Sequence, residues 1–188
     1  MRKVLFIVSL FLIMGVARAQ TVRIPDFPDV GKTMPAYPAV EWIQGKGITS
    51  FDKDKIYVVE LWATWCVPCI KAMPHIAELQ QKFKDKNIVF IAQDVLENDK
   101  EKVIKFVQNK KELAGLLVGY AGTNGSDFDR RWIKAAGIAS IPQTFIIQDN
   151  KLMWQTMPNV LNEKVLQLLV DHKFTIDAAK AVANQSTD

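Results

Sequence analysis

The run Ile56-Tyr57-Val58-Val59-Glu60-Leu61-Trp62 is apolar except for Glu60, and four residues later the chain reads Cys66-Val67-Pro68-Cys69. β-Branched and aromatic residues mark the run as a strand, and its lack of alternation predicts burial on both faces of a sheet. From Pro68 the periodicity changes. Ile70, Met73, Ile76, Ala77, Leu79 and Phe83 recur at three- and four-residue steps, predicting a helix with a kink at Pro74 inside it. A buried strand passing into a helix through a cysteine pair leaves few architectures open. These are the chain's only two cysteines. No other disulfide can form within the chain, and two thiols at this spacing can close a small disulfide and open it again.

The remaining pattern alternates strands with helices. Ala39–Ile43 reads as a short strand, Ile88–Ala92 as a buried one, Asp99–Lys111 as an amphipathic helix and Leu116–Tyr120 as a strand. Ser126–Ala136 follows as a helix with Ser126 at its N-cap. Thr144–Ile147 and Leu152–Gln155 flank Asp149-Asn150 and predict a β-hairpin, and Leu161–Val170 closes the domain as a helix. The order β-β-α-β-α-β-α-β-β-α predicts an α/β protein with a central mixed β-sheet flanked by helices on both faces. Four prolines between residues 20 and 38 (Pro25, Pro28, Pro35, Pro38) predict an extended lead-in, lying over the domain or free in solvent. The domain is expected over residues 39–172, with a C-terminal tail over 173–188 that frays from Ala183 onward.

Residues 1–19 have the layout of a secretory signal peptide: Arg2 and Lys3, an apolar stretch from Val4 to Val16, then Ala17-Arg18-Ala19. Cleavage before Gln20 is expected. An uncleaved anchor is the alternative, but thirteen residues of helix reach only about 20 Å of a ~30 Å hydrocarbon core. No cysteine follows the apolar run, which excludes a lipid-anchored product and leaves no stable membrane insertion after cleavage. Arg2, Lys3 and Arg18 account for three of the 24 basic residues, leaving 21 against 20 acidic ones. The apparent basicity is thus an export signal, and nothing points to nucleic acid. An exported, periplasmic or otherwise extracytoplasmic protein meets oxidising surroundings. A lone CxxC there is kept reduced by a partner or serves as an oxidant.

The thiolate is the attacking species, so a nucleophilic cysteine needs a lowered pKa. Cys66 at a helix N-terminus meets unpaired backbone N–H groups and the positive end of the helix dipole, which make it the candidate nucleophile. Cys69, one turn further in, is expected to be more buried and to resolve the mixed disulfide. Pro68 stiffens the turn between them. Half of a zinc site is the alternative, but His75 and His172 are the only histidines, and His75 shares the helix with Cys69 in poor geometry for joining both sulfurs. A dithiol copper(I) chaperone is a non-enzymatic alternative. No metal site is expected, and the Cys66–Cys69 disulfide itself stands in for a cofactor.

The segment Val59-Glu60-Leu61-Trp62-Ala63-Thr64-Trp65-Cys66-Val67-Pro68-Cys69, with Pro74 beyond it, resembles the active-site segment of the thioredoxin superfamily. It is most similar to the TlpA/ResA group of extracytoplasmic thiol-disulfide oxidoreductases, a likeness covering roughly Ala36 to Leu169. The resemblance implies a thioredoxin-like fold with an N-terminal extension and an inserted segment between the CxxC half and the Pro142 half. It also implies exchange with protein disulfides, most naturally as a reductase recharged by a membrane electron donor, with a disulfide oxidant or isomerase as the alternative. Ile141-Pro142-Gln143-Thr144-Phe145 resembles the loop whose proline is cis in that superfamily. There Ile141 pairs with an extended substrate chain; a plain strand-start proline is the other reading. Glu60 falls where thioredoxins carry a buried acid, implying a raised pKa and a proton relay to Cys69, against the alternative of an acid solvated at the sheet edge. Trp65 is expected to form an apolar rim for substrate. Two positions depart from the group: Ala72 stands where an acid often follows the second cysteine, and Ile88–Asp94 holds no lysine to partner Glu60.

Overall fold

The computed structural model describes residues 27–183. The expected signal peptide, the first part of the lead-in (20–26) and residues 184–188 of the end expected to fray lie outside the described residues. Six strands form one sheet among them: β1 (Glu41–Gln44), β2 (Ile56–Trp62), β3 (Ile88–Asp94), β4 (Leu117–Tyr120), β5 (Gln143–Gln148) and β6 (Lys151–Thr156). Their order across the sheet is β1-β4-β3-β2-β5-β6. β2 pairs in parallel with β3 and antiparallel with β5, so every residue of it is buried. Segment 95–140 is the inserted piece, and its strand β4 enters the sheet between β1 and β3.

The pleat sorts β2 into two cores. Ile56, Val58 and Trp62 face a helical layer formed by α1 (Val67–Lys82), α2 (Lys100–Gln108), α3 (Glu163–Val170) and α4 (Ile176–Ala183). Tyr57, Val59 and Leu61 face the other side, where Phe128, Trp132 and Ile133 join Met34, Tyr37 and Phe51. The helical cover on that second face is a short segment whose residues Asp129–Lys134 are π-helical. The Ser126 hydroxyl accepts the Asp129 N–H at 3.1 Å, the capping expected of it. Pro74 lies inside α1, which continues through it to Lys82 as one sixteen-residue helix. The β5–β6 hairpin turns through Asp149 and Asn150, both at positive φ (53° and 57°), as that dipeptide between strands predicts.

Of the two placements expected of the lead-in, its described part takes the one over the domain: Gly31 N–H bonds Leu152 O, Met34 N–H bonds Asn150 O, and Thr33 bridges to Lys151 on the edge of β6. Met34 and Tyr37 are buried, and Phe27 packs edge-on against Trp132 and Phe145. The sequence is proline-rich, yet its aromatic residues are what fill the second face. At the other end, the expected tail contains α4. Phe174, Ile176, Ala179 and Val182 sit at two- and three-residue steps and pack on the helical layer, with Ala179 fully buried and Phe174 against Trp154.

The Tyr37 hydroxyl donates to Gln93 Oε1 at 2.9 Å in the buried second face. Opposite Gln93 in register is Gly119, where a Cβ would come within 2.5 Å of the same oxygen, so only glycine leaves room for this bond. Tyr37→Phe leaves that oxygen without its phenol donor, at an expected cost of about 1–3 kcal/mol. Urea unfolding of the two proteins, with the disulfide intact in both, measures it.

Candidate active site

Helix α1 begins immediately beyond the end of β2, and Cys66 is its N-cap (φ −84°, ψ 92°). The turn Ala63–Cys66 that joins them is closed by Cys66 N–H to Ala63 O at 3.1 Å. Cys66 Sγ accepts the backbone N–H of Cys69 at 3.3 Å. Pro68 occupies the first turn, where its missing N–H costs nothing, and no acidic residue stands there to neutralise the helix's positive end. The two sulfurs are joined as a disulfide with Cα atoms 5.3 Å apart.

Cys69 is no more buried than Cys66, contrary to expectation: each is 3% exposed. Their surroundings distinguish them instead. Cys66 Sγ lies 3.8 Å from the carbonyl oxygen of Ile141, whose bond to Pro142 is cis. Around it Trp65 and Val67 are 53% and 59% exposed, an apolar rim at the mouth of the site, and Pro68 is exposed beside them. Cys69 Sγ points inward, 4.0 Å from Leu61 O, and lines a small cavity shared with Glu60, Trp62, Ala72, Met73 and Ala92. The cavity offers about 10 Å³ for the centre of a water-sized molecule, the room of about one water.

Glu60 is buried, not solvated at an edge. The register sets Thr144 of β5 on one side and Ala92 of β3 on the other. Thr144 donates its hydroxyl to Glu60 Oε2 at 2.5 Å, while Oε1 has no hydrogen-bond partner among the described residues. Burial pushes the carboxyl up to about 8, against the smaller opposing effect of the Thr144 hydrogen bond. Ala92 at the paired position explains why no ammonium compensates it. Thr144 was not singled out from sequence, because nothing local signals which residue of β5 falls opposite Glu60.

A second acidic group was also missed. Asp94 ends β3, fully buried, with no hydrogen bond to either carboxylate oxygen among the described residues. Burial, then the neighbouring Glu97 charge, pushes it up to about 9. Burial works in the same direction on Glu97, but hydrogen bonds from Thr64 and the Lys102 ammonium outweigh it and hold that carboxyl below its ordinary range. His75 is turned to Leu161 O at 2.6 Å and His172 to Gln148 at 3.2 Å, so neither joins the cysteines. Among the described residues, no three His, Cys, Asp or Glu side chains gather as metal ligands.

Residues 30–155 match the AhpC/TSA family. The thiol-disulfide oxidoreductase ResA of Bacillus thuringiensis (strain Al Hakam) is 31% identical over 170 residues, covering 87% of this chain and 92% of that protein. The chain belongs to the AhpC/TSA family, among its ResA-like thiol-disulfide oxidoreductases. Two solved structures share the fold of this ResA-like chain. The thioredoxin domain of a thiol-disulfide oxidoreductase from Bacteroides vulgatus superposes with a TM-score of 0.57 at 15% identity, covering 86% of this chain and 99% of that one. StoA from Bacillus subtilis gives 0.51 at 20% identity, covering 65% and 90%. The ResA-like assignment makes the chain an enzyme of thiol-disulfide exchange, with the Cys66–Cys69 pair as its CxxC.

A carboxyl at about 8 in the folded state and near 4.3 in the unfolded chain has a defined effect on stability. Above pH ~4.3 the unfolded state releases its proton first, so native stability falls as pH rises and levels off beyond the folded pKa. Glu60→Gln cannot ionise. Its stability relative to the parent should therefore climb between about pH 5 and 8, by at most about 5 kcal/mol. Denaturant midpoints of both oxidised proteins across that range test this; a difference independent of pH would contradict it.

Proposed function

We propose that this chain is an exported protein-disulfide reductase in which Cys66 attacks, Cys69 resolves and Glu60 relays the proton. The Cys66 thiolate forms a mixed disulfide with one sulfur of a substrate disulfide, releasing the other as a thiolate. Cys69 then passes its proton to Glu60 in its ionised form, directly or through one water, and attacks Cys66 Sγ; Glu60 hands that proton on to water or to the departing substrate thiolate. The second substrate thiolate leaves, and the enzyme's two electrons have gone to the substrate as its own pair closes to the disulfide. No separate cofactor is needed, since the dithiol carries both electrons.

The observation that carries this reading is that Cys69 and the buried Glu60 line one cavity while Cys66, at the start of α1, lies against the Ile141 carbonyl. A carboxyl near 8 has the affinity to take a proton from a thiol whose ordinary pKa is about 8.5. Trp65 and Pro68 form the apolar mouth, and the Ile141-Pro142 loop beside Cys66 holds the extended substrate backbone as an added strand. Export rests on residues 1–19, and the oxidising surroundings then call for a membrane electron donor to reduce Cys66–Cys69 again. The reductive direction is what the resemblance of the active-site segment to the TlpA/ResA group implies.

Replacing Cys66 by serine should abolish reduction of a test disulfide, whereas Cys69→Ser should accumulate mixed disulfides with substrate protein. Equal trapping by the two variants, read on non-reducing gels, would sink the division of roles. The direction is tested by the reduction potential of the pair, equilibrated against glutathione or dithiothreitol. A value near about −270 mV supports a reductase, and one near about −120 mV means a disulfide-inserting oxidant.

A further inference from the structure

The turn Ala63–Cys66 delivers the nucleophile, and its two central residues are held by the segment that follows β3. Thr64 donates its backbone N–H to Glu97 Oε2 at 2.8 Å and its hydroxyl to Glu97 Oε1. Trp65 donates its indole N–H to Leu96 O at 3.3 Å. Thr64 and Glu97 are both buried, so neither the amide nor the carboxylate has ready access to solvent in place of the other. Leu96 sits at φ +57°, a left-handed conformation unusual for leucine, at the corner that sets its own carbonyl and the Glu97 side chain toward the turn.

We propose that Glu97 is a positioning residue for Cys66: by accepting both donors of Thr64 it fixes the turn that sets the sulfur at the N-terminus of α1. This rests on the reading of Cys66 as the attacking thiol. A peptide N–H at the second position of a closed β-turn has no partner within the turn, and here a carboxylate 33 residues away supplies one. The charged groups around Glu97 leave it able to do so as an anion. Lys102 on α2 pairs with Glu97 Oε1 at 3.1 Å, while Asp94 on β3 is held protonated near neutrality by burial. Burial first, then the charges of Asp94, Glu41, Glu97 and Asp99, raises the Tyr120 phenol on β4 above its ordinary range.

Glu97 is also a negative charge near the nucleophile, so the test must separate position from charge. Glu97→Gln removes the charge and keeps a carbonyl acceptor for the Thr64 N–H. Glu97→Ala removes both. The measurement is the pH dependence of alkylation of Cys66 by iodoacetamide in the Cys69→Ser background, at a temperature where circular dichroism finds both variants folded. A displaced sulfur loses the stabilisation of its thiolate by the helix end. The alkylation midpoint should therefore lie about one pH unit higher in the Ala variant than in the Gln variant, about tenfold slower alkylation below the midpoint. Coincident midpoints in the two variants, moved together or unmoved, overturn the proposal, since the carboxylate would then act through charge or stability alone. If Glu97→Ala does not fold, Thr64 gives the same answer from the other side. Thr64→Ser keeps both donors and should match the parent, Thr64→Val loses the hydroxyl but keeps the backbone N–H and should raise the midpoint by a smaller amount, and identical Ser and Val profiles overturn it. Cys66→Ser, with Cys69 as the lone thiol, is run in parallel. A lower midpoint for Cys69 than for Cys66 would refute the nucleophile assignment itself, separately from any difference among the Glu97 variants.

Discussion

Burial of β2 on both faces and along both edges is the constraint from which the active end of this protein follows. With β3 and β5 paired on either side, the strand has no freedom of register, and each alternate residue is committed to one core. That commitment sends Glu60 into the helical layer beside Cys69 and ends the strand at Trp62, one short turn from Cys66. It also sets the dithiol beyond the C-terminal end of this central strand, at the N-terminus of a helix whose other end is anchored by Leu79 and Phe83 in the core. A slip of one residue would turn Glu60 to the aromatic face and bring Val59 or Leu61 to the cavity.

Three buried acids near the dithiol show how environment separates groups of the same chemistry. Glu60 has one hydroxyl donor and no cation, so burial dominates and lifts its proton affinity to near that of a thiol. Asp94 has no hydroxyl donor, and its burial with the neighbouring Glu97 charge outweighs the Lys102 ammonium and pushes it in the same direction. Glu97 has two donors from Thr64 and the Lys102 ammonium, and these outweigh its burial. One carboxyl is thereby available to exchange a proton with a thiol, and another remains an anion that can accept hydrogen bonds. This is the division of labour that enzymes reach by tuning neighbours rather than residue types.

Much of the fold was legible because it is locally encoded. The apolar run of β2, the helical stripe of α1 and the Asp149-Asn150 turn each depend on residues within a few positions of one another. The Ser126 cap is equally local, formed with an amide three residues on. The packing of the lead-in and the presence of α4 were not legible for the converse reason. Pro35 and Pro38 speak for extended backbone, but Tyr37 between them is held by Gln93, 56 residues away, and by the rings of Trp132 and Phe51. The stripe of α4 is short and interrupted by Asp177 and Lys180, and its burial depends on the surface that α3 and β6 offer.

The sequence by itself determined the chemistry. Two cysteines three residues apart where a strand pattern passes into a helix pattern can only meet at the first turn of that helix, and an acid within an apolar strand must be buried if the strand is central. Tertiary structure alone decided what those groups touch. Thr144 reaches Glu60 across 84 residues, the Ile141 carbonyl reaches Cys66 across 75, and Glu97 reaches Thr64 across 33. Each contact depends on strand order and register, which arise from the packing of all six strands together. Side-chain alternation says which face a residue takes, but not which strand will lie beside it.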